Sequence, residues 1–216
     1  MEQNIAREIL EEHGDFAGAT HLVDVQGFSS PRVCRFLNEL VRRMPADEHY
    51  LEIGTFAGLT LCSAIQNNAG KRAFACDKFR FYGKFTGFGF LAKRRLLSNL
   101  KRYSAGAAQV SMMHTTSRRL FKRELVRPPV GVYFYDGDHS YESTYHGVVA
   151  GAKLLSQRSV LLMDDWNDPN IQSATRAGIR DAGLSIEWER ELDGNQTQDG
   201  WWNGLGVFYV AKASVV

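Results

Sequence analysis

Three short segments place residues capable of chemistry directly after strand-like apolar runs. The first, 50–58, reads Tyr-Leu-Glu-Ile-Gly-Thr-Phe-Ala-Gly, and the second, 135–142, reads Tyr-Asp-Gly-Asp-His-Ser-Tyr-Glu. The third ends on two adjacent acids, Asp164 and Asp165. In an open parallel α/β sheet, ligands bind beyond the carboxyl ends of the strands, so three such endings can converge on one site. The residue types indicate a nucleoside cofactor beside a metal ion.

The first segment has the spacing E-x-G-x-x-x-G. Gly54 allows a tight turn after the strand, and Gly58 removes a side chain where the backbone would approach a ligand. Asp77 ends the next strand-like run, where a carboxylate can accept hydrogen bonds from both hydroxyls of a ribose. The same acid would also serve NAD, but the bulky Phe56 stands where the G-x-G-x-x-G fingerprint has its second glycine. The loop therefore favours a nucleoside cofactor other than a dinucleotide.

The acids of the second and third segments form a candidate metal site. Asp136, Asp164 and Asp165 end two runs that are neighbouring strands in such a sheet, and carboxylate oxygens suit Mg²⁺. The chain has no Cys and His spacing of the kind that binds zinc. His139 follows Asp136 by three residues, and an imidazole can remove the proton of a hydroxyl held by a metal. The alternative is that His139 only caps the helix that follows.

Length and composition predict one globular domain. The 216 residues, 44% of them hydrophobic and 23% charged, are expected to form a single domain over 1–216, with an N-terminal helical cap region over 1–47. The three cysteines have no paired or metal-type spacing, which favours reduced thiols. The N-terminal residues are too acidic for a signal peptide, and no apolar run approaches the ~18 residues of a membrane span. We expect a cytoplasmic protein that is not bound to a membrane, and a homo-oligomer is left open.

Apolar runs and helical patterns alternate along most of the chain. Strands are predicted at 49–53, 72–76, 108–113, 130–135 and 159–163, with helices between them, notably at 141–155 and 171–182. This alternation predicts a parallel sheet with helices on both faces. Runs at 184–190 and 207–211 predict a C-terminal antiparallel hairpin. The aromatic and Gly-rich segment 79–90 is consistent with a lid or substrate wall, or with a loop packed on its own helix.

Together these motifs resemble class I S-adenosylmethionine (SAM) methyltransferases. The string D-G-D-H-S-Y-E and the paired acids are similar to the metal-dependent O-methyltransferases that act on sugars and other small molecules. The resemblance implies a Rossmann-like, mostly parallel α/β sheet that ends in an antiparallel hairpin. It also implies methyl transfer from SAM to a hydroxyl of a small molecule, assisted by Mg²⁺.

The resemblance assigns roles to particular residues. SAM would contact Glu52, Gly54, Thr55, Gly58, Asp77, Thr116, Ser117 and Asp136. The metal would be held by Asp136, Asp164 and Asp165, and His139 would be the general base. At Thr116 the family usually has Asp, and the pair Asp164-Asp165 replaces Asp-Asn or Glu-Asp. The division of metal binding between Asp164 and Asp165 is therefore open.

Two other functions compete with a small-molecule acceptor. Basic clusters at 93–102 and 118–127 favour a nucleic-acid methyltransferase, although solvated helix faces have the same composition. That alternative lacks an N/D-P-P-Y motif after the fourth strand and a Pro-Cys nucleophile. The second competitor is a protein that binds SAM without transferring its methyl group, in which the acids are structural.

Overall fold

The structure, a computed structural model, describes residues 1, 3–79 and 88–213. Its strands are β1 His49–Ile53, β2 Arg72–Asp77, β3 Gln109–His114, β4 Val130–Tyr135, β5 Leu155–Asp164, β6 Leu184–Leu192 and β7 Leu205–Lys212. Its helices are α1 Ile5–His13, α2 Pro31–Arg43, α3 Leu59–Ile65, α4 Phe88–Arg102, α5 Ser117–Lys122, α6 Tyr141–Ala152 and α7 Pro169–Asp181.

The strands form one seven-stranded sheet in the order β3-β2-β1-β4-β5-β7-β6. The first five strands are parallel, whereas β7 is antiparallel to both β5 and β6. Strand order reverses between β1 and β4, the position at which doubly wound sheets open a crevice for ligands. The predicted Rossmann-like sheet with its antiparallel C-terminal hairpin is confirmed.

Helices cover both faces of the sheet. One core cluster contains side chains of α1 to α4, for example Phe36, Leu61 and Leu96. A second cluster contains side chains of α5 to α7, for example Leu120 and Val148. All residues of β1 and β4 are buried, as expected for central strands covered on two sides. These strands therefore form a rigid base for the loops at their carboxyl ends.

Local sequence signals account for several element boundaries. Ser30 caps α2 by accepting a hydrogen bond from the Val33 N–H, and Pro31 occupies the first turn. The prediction that the sixth helix extends over 141–155 was wrong at its end, because α6 stops at Ala152 and Leu155 begins β5. Leu155 pairs with Val130 of β4, a sheet contact that periodicity alone does not reveal.

The aromatic segment and the absence of a membrane span were two further expectations from the sequence. Most of the aromatic and Gly-rich segment 79–90 lies outside the described residues, namely 80–87, so its role as a lid, a substrate wall or a packed loop stays a prediction. Across the part of the chain that is described, no helix is long and apolar enough to cross a membrane.

Candidate cofactor and metal site

The predicted site residues converge on a cavity of about 860 Å³ at the carboxyl ends of the central strands. The predicted residues that line it are Gly54, Thr55, Asp77, Thr116, Ser117, Asp136, His139, Asp164 and Asp165. The other two predicted residues, Glu52 and Gly58, are not among the described residues that line this cavity. A cavity of this size can hold a nucleoside cofactor together with a small acceptor.

Glycines at both ends of the β1–α3 loop are required by close packing. Gly54 has φ +90°, and a Cβ there would lie 2.5 Å from the carbonyl carbon of Asp136 and would overlap its oxygen. Gly58 has φ +92°, and a Cβ there would lie 2.5 Å from the Leu96 side chain of α4. Gly54 thus allows the end of β1 to pack against the backbone carbonyl of Asp136, one of the predicted metal ligands. Gly58 is explained by its backbone conformation and by α4, and its contact with a cofactor stays a prediction.

Asp77 ties this loop to the end of β2. One carboxylate oxygen accepts hydrogen bonds from the backbone N–H groups of Thr55 (3.1 Å) and Phe56 (2.8 Å), and the other accepts from Phe79 (2.7 Å). Phe56 has a left-handed backbone, φ +45°, which is uncommon for a bulky residue. The structure therefore gives Asp77 a loop-shaping role, and ribose binding stays a prediction.

Glu52 lies beneath the loop and is fully buried. Its carboxyl accepts hydrogen bonds from the hydroxyls of Tyr50 (2.6 Å) and Thr60 (3.0 Å). Burial raises the pKa of Glu52 to about 8, so the group is mostly protonated at neutral pH. In this arrangement Glu52 joins β1 to α3, and a direct contact with SAM stays a prediction.

The acids of β4 and β5 meet at one end of the cavity. The pairing of Tyr135 with Met163 makes Asp136 and Asp164 neighbours across the two strands. Burial, followed by the charges of Asp164 and Asp165, raises the pKa of Asp136 well above its ordinary value. Burial and then Asp165 raise the pKa of Asp164 to about 8.

The same acids supply oxygen atoms that can bind a cation, and their buried negative charges would be stabilised by one. One ligand atom each from Asp136, His139 and Asp165 lies within 4.8 Å of the others. Asp164 is 4% exposed, and its Oδ1 has no hydrogen-bond partner among the described residues. Buried carboxylates that repel one another are stabilised by a divalent cation, so these residues fit the predicted Mg²⁺.

His139 contacts Asp165 of the acid cluster and does not cap a helix. Its Nε2 lies 2.8 Å from Oδ2 of Asp165, and this hydrogen bond raises the pKa of His139. The N-cap of α6 is Ser140, whose hydroxyl accepts a hydrogen bond from the Ser143 N–H, so the alternative role of His139 as the cap is wrong. Asp138 braces the same turn by accepting hydrogen bonds from the backbone and hydroxyl of Ser140.

A second residue fixes Asp165 from the opposite side. Asn203, in the turn before β7, donates a hydrogen bond of 2.6 Å to Oδ1 of Asp165. Burial favours a higher pKa for Asp165, but the hydrogen bonds from His139 and Asn203 hold it below its ordinary value. Asp165 also has a left-handed backbone, φ +53°. No sequence signal pointed to Asn203, because only the fold brings the β6–β7 connection to the end of β5.

Two buried hydroxyls add polar groups to the cavity wall. Ser29 Oγ and Thr55 Oγ1 belong to residues that are 1% and 2% exposed, and neither atom has a hydrogen-bond partner among the described residues. Both residues line the cavity. Sequence reasoning missed Ser29, because a serine next to the Ser30-Pro31 helix start has no local sign of a role in ligand binding. An unpaired buried hydroxyl is costly, so these two groups are suited to a polar ligand.

Aromatic side chains border the same cavity. Phe28 is 65% exposed, and its ring centroid lies 5.4 Å from that of Phe56. Among the tryptophans near the strand ends, Trp202 lines the cavity, whereas Trp166 and Trp201 are buried in the core. The wall of the cavity therefore combines apolar rings with the polar groups described above.

Comparison with known proteins agrees with this geometry. A family model described as a methyltransferase domain matches residues 51–166, which is more than half of the chain. This range begins in β1 and ends just beyond β5, so it contains the glycine loop, Asp77 and the acid cluster. No curated protein sequence matches the chain.

Solved structures with the same fold are distant in sequence. The O-methyltransferase from Bacillus cereus in complex with SAH is 18% identical, with a TM-score of 0.59 over 98% of this chain and 92% of that chain. Cofactor-bound Rv0187 from MTB is 16% identical, with a TM-score of 0.61 over 97% and 91%. TrmN from Thermus thermophilus is 14% identical, with a TM-score of 0.59, and the match covers 87% of this chain but only 50% of TrmN. The fold and the family model together show that this chain belongs to the class I SAM-dependent methyltransferases.

Proposed function

We propose that the protein transfers the methyl group of SAM to a hydroxyl of a small molecule, such as a sugar or another secondary metabolite, with the assistance of Mg²⁺. The main support is that a buried acid cluster opens into the same cavity as the β1–α3 glycine loop. A methyl donor and a hydroxyl ordered by a cation can therefore meet within one enclosed space. The similarity in fold to the O-methyltransferase from Bacillus cereus, solved with SAH, is consistent with methyl transfer to an oxygen.

The donor would lie along the glycine loop. Gly54 and Thr55 would contact its amino-acid portion, with Ser29 and Thr55 supplying hydroxyl groups to the charged carboxylate and amine. Asp77 would face the ribose. Thr116 and Ser117, which follow β3, would face the adenine.

The cation would be held by Asp136 together with Asp164 and Asp165. When bound, a divalent cation supplies a Lewis acid that orients the acceptor oxygens and increases the acidity of a hydroxyl. Gly54 contributes by allowing the backbone of Asp136 to lie against β1. Asn203 contributes by fixing the carboxylate of Asp165.

His139 would take the proton of the acceptor hydroxyl while the new carbon–oxygen bond forms and the bond between the methyl carbon and sulfur breaks, leaving SAH as the second product. Its contact with Asp165 orients the ring and gives the charged imidazolium a partner after the proton has moved. The reacting oxygen, the methyl carbon and the sulfur must approach a line. Positioning by the cavity walls therefore supplies much of the rate enhancement.

Calorimetry and turnover measurements test this proposal. We expect SAH to bind the purified protein with micromolar affinity, and a panel of hydroxylated acceptors to be methylated with Mg²⁺ but not in excess EDTA. Asp136→Asn should lose metal-dependent turnover and keep its affinity for SAH. Asp193→Asn, which changes an exposed acid beyond β6, is the matched control and should behave as the native protein.

The outcomes separate the competing functions. Absence of SAH binding would overturn the whole assignment, and full turnover in EDTA would remove the cation from the mechanism. SAH binding without methylation of any acceptor would favour the protein that binds SAM without transferring its methyl group. Methylation of an oligonucleotide in preference to the small acceptors would favour the nucleic-acid methyltransferase.

A further inference from the structure

The cations of the chain are concentrated on the elements that flank one edge of the sheet. Residues 88–129 contain ten Lys and Arg and one acid, Glu124, whereas the rest of the chain contains 16 Lys and Arg and 23 acids. These ten are Lys93, Arg94, Arg95, Lys101, Arg102, Arg118, Arg119, Lys122, Arg123 and Arg127. We name this set the basic ridge. The low net charge of the whole protein thus hides a strong separation of charge.

The basic ridge differs from the other cationic residues in its lack of acidic partners. Among the ten described arginines outside the ridge, seven have an acid within 4.0 Å, as in Arg7–Glu11 at 2.7 Å and Arg158–Glu187 at 2.9 Å. Among the described residues, Arg102 is the one member of the ridge with an acid within 4.0 Å, namely Asp24 at 3.7 Å. Residues 80–87, which directly precede α4 in the sequence, contain Arg80 and Lys84 and no acid. The positive charge of the ridge is therefore largely uncompensated.

The fold arranges these cations around a single edge. β3 is the edge strand, α4 precedes it on one face of the sheet and α5 follows it on the other. α4 has 15 residues and extends about 22 Å along this edge. Arg118, at the start of α5, also lines the cofactor cavity. The ridge thus leads along the sheet edge to the mouth of the candidate active site.

One face of α4 combines the cations with exposed apolar groups. Phe90, Arg94, Leu97 and Lys101 follow the spacing i, i+4, i+7 and i+11, which places them on the same side of the helix. Phe90 is 70% exposed and Leu97 is 52% exposed. An aromatic ring beside unpaired guanidinium groups can stack with a nucleobase while the cations contact phosphates.

We infer that the basic ridge binds single-stranded nucleic acid. Seven of its ten cations are arginines, whose planar guanidinium groups match phosphate geometry. The cations lie on α4 and α5, which flank the β3 edge on opposite faces of the sheet. A thin flexible polyanion can contact both helices, whereas a flat acidic protein surface would reach only one. This inference does not depend on the proposed methyl transfer, because none of the ridge residues used in its tests belongs to the proposed catalytic machinery.

Fluorescence anisotropy with the full chain tests the inference. The probes are labelled single-stranded RNA and DNA of about 12 nucleotides, titrated between about 50 and 200 mM salt. We expect binding that weakens steeply with salt. Arg95→Glu/Arg119→Glu should reduce affinity by about 10-fold or more and lower the salt slope, because phosphate contacts are lost.

A double variant with the same change in net charge is the control. Lys153→Glu/Arg190→Glu reverses two exposed cations outside the ridge and should change affinity by less than about twofold. Phe90→Ala should weaken binding by about fivefold if its ring stacks with a base. Both double variants should keep native affinity for SAH, which shows that they are folded.

Three results would overturn the inference. The first is absence of oligonucleotide binding by the native chain at the lowest salt concentration. The second is an equal loss of affinity in the two double variants, since only net charge would then matter. The third is displacement of the oligonucleotide by polyglutamate as effectively as by unlabelled nucleic acid, which would assign the ridge to acidic proteins.

Discussion

Gly54→Ala tests whether the β1–α3 loop shapes the proposed metal site through backbone contact. Gly54 has φ +90°, a conformation that costs an alanine about 1–2 kcal/mol. Its Cβ would also overlap the carbonyl of Asp136, which would have to withdraw by about 1.5 Å to reach ordinary contact. Overpacking of this kind adds about 1–3 kcal/mol. We therefore expect a total loss of about 2–5 kcal/mol in the free energy of unfolding.

Gly70→Ala is the matched control, because Gly70 has φ +85° and a Cβ there would have no atom within 4 Å among the described residues. Gly70→Ala has only the conformational cost of the positive φ, so urea denaturation should show a loss of about 1–2 kcal/mol in the free energy of unfolding. The difference between the two variants isolates the contact with Asp136. Calorimetry with Mg²⁺ or Mn²⁺ should show weaker metal binding only for Gly54→Ala. Equal losses of stability and equal metal affinities in the two variants would refute the reasoning.

Three further predictions concern individual side chains. Ser29→Ala should weaken SAH binding about 5- to 10-fold in calorimetry, since a hydrogen bond worth about 1–1.5 kcal/mol is lost, whereas Ser156→Ala, at another buried unpaired hydroxyl, should leave it unchanged. Glu52 stays protonated up to about pH 8 when folded but ionises near 4.5 when unfolded, so native stability should fall by about 1.4 kcal/mol per pH unit between these values. In urea denaturation, the stability of Glu52→Gln should decrease less with rising pH than that of the native protein. The same dependence of stability on pH in both proteins would contradict a raised pKa for Glu52. His139→Ala should lower turnover by about 10²–10⁴-fold with SAH affinity intact, and near-native turnover would exclude it as the base.

The fold was predictable because its signals are local and periodic. Apolar runs of strand length alternate with helical patterns, and Ser30-Pro31 marks the start of α2. The structure confirms the parallel sheet and the final hairpin on this basis. The predicted end of the helix after 141 failed because Leu155 is recruited into β5 by pairing with Val130, a partner 25 positions earlier. Local periodicity contains no information about such a partner.

The candidate site was predictable in its location but not in its internal contacts. The strand ends supplied Gly54, Asp77 and Asp136, and the fold places all three at one cavity. The sequence did not indicate that Asp77 would hold the backbone of the glycine loop. Nor did it indicate that Glu52 would lie under the loop as a buried, mostly protonated acid. Side-chain orientation depends on neighbours that are distant along the chain, and no motif records them.

By itself, the sequence determined the class of the protein, because the motifs at its strand ends resemble those of class I methyltransferases. Only the tertiary structure decided how those residues are used. It brought Asn203 to Asp165, oriented His139 on the same carboxylate, and left the hydroxyl of Ser29 in the cavity wall without a hydrogen-bond partner among the described residues. The physical reason is that a motif fixes residue types within one loop. A site is made by packing several loops from separate strands against one another, and their geometry is set by the pairing and burial of the whole sheet.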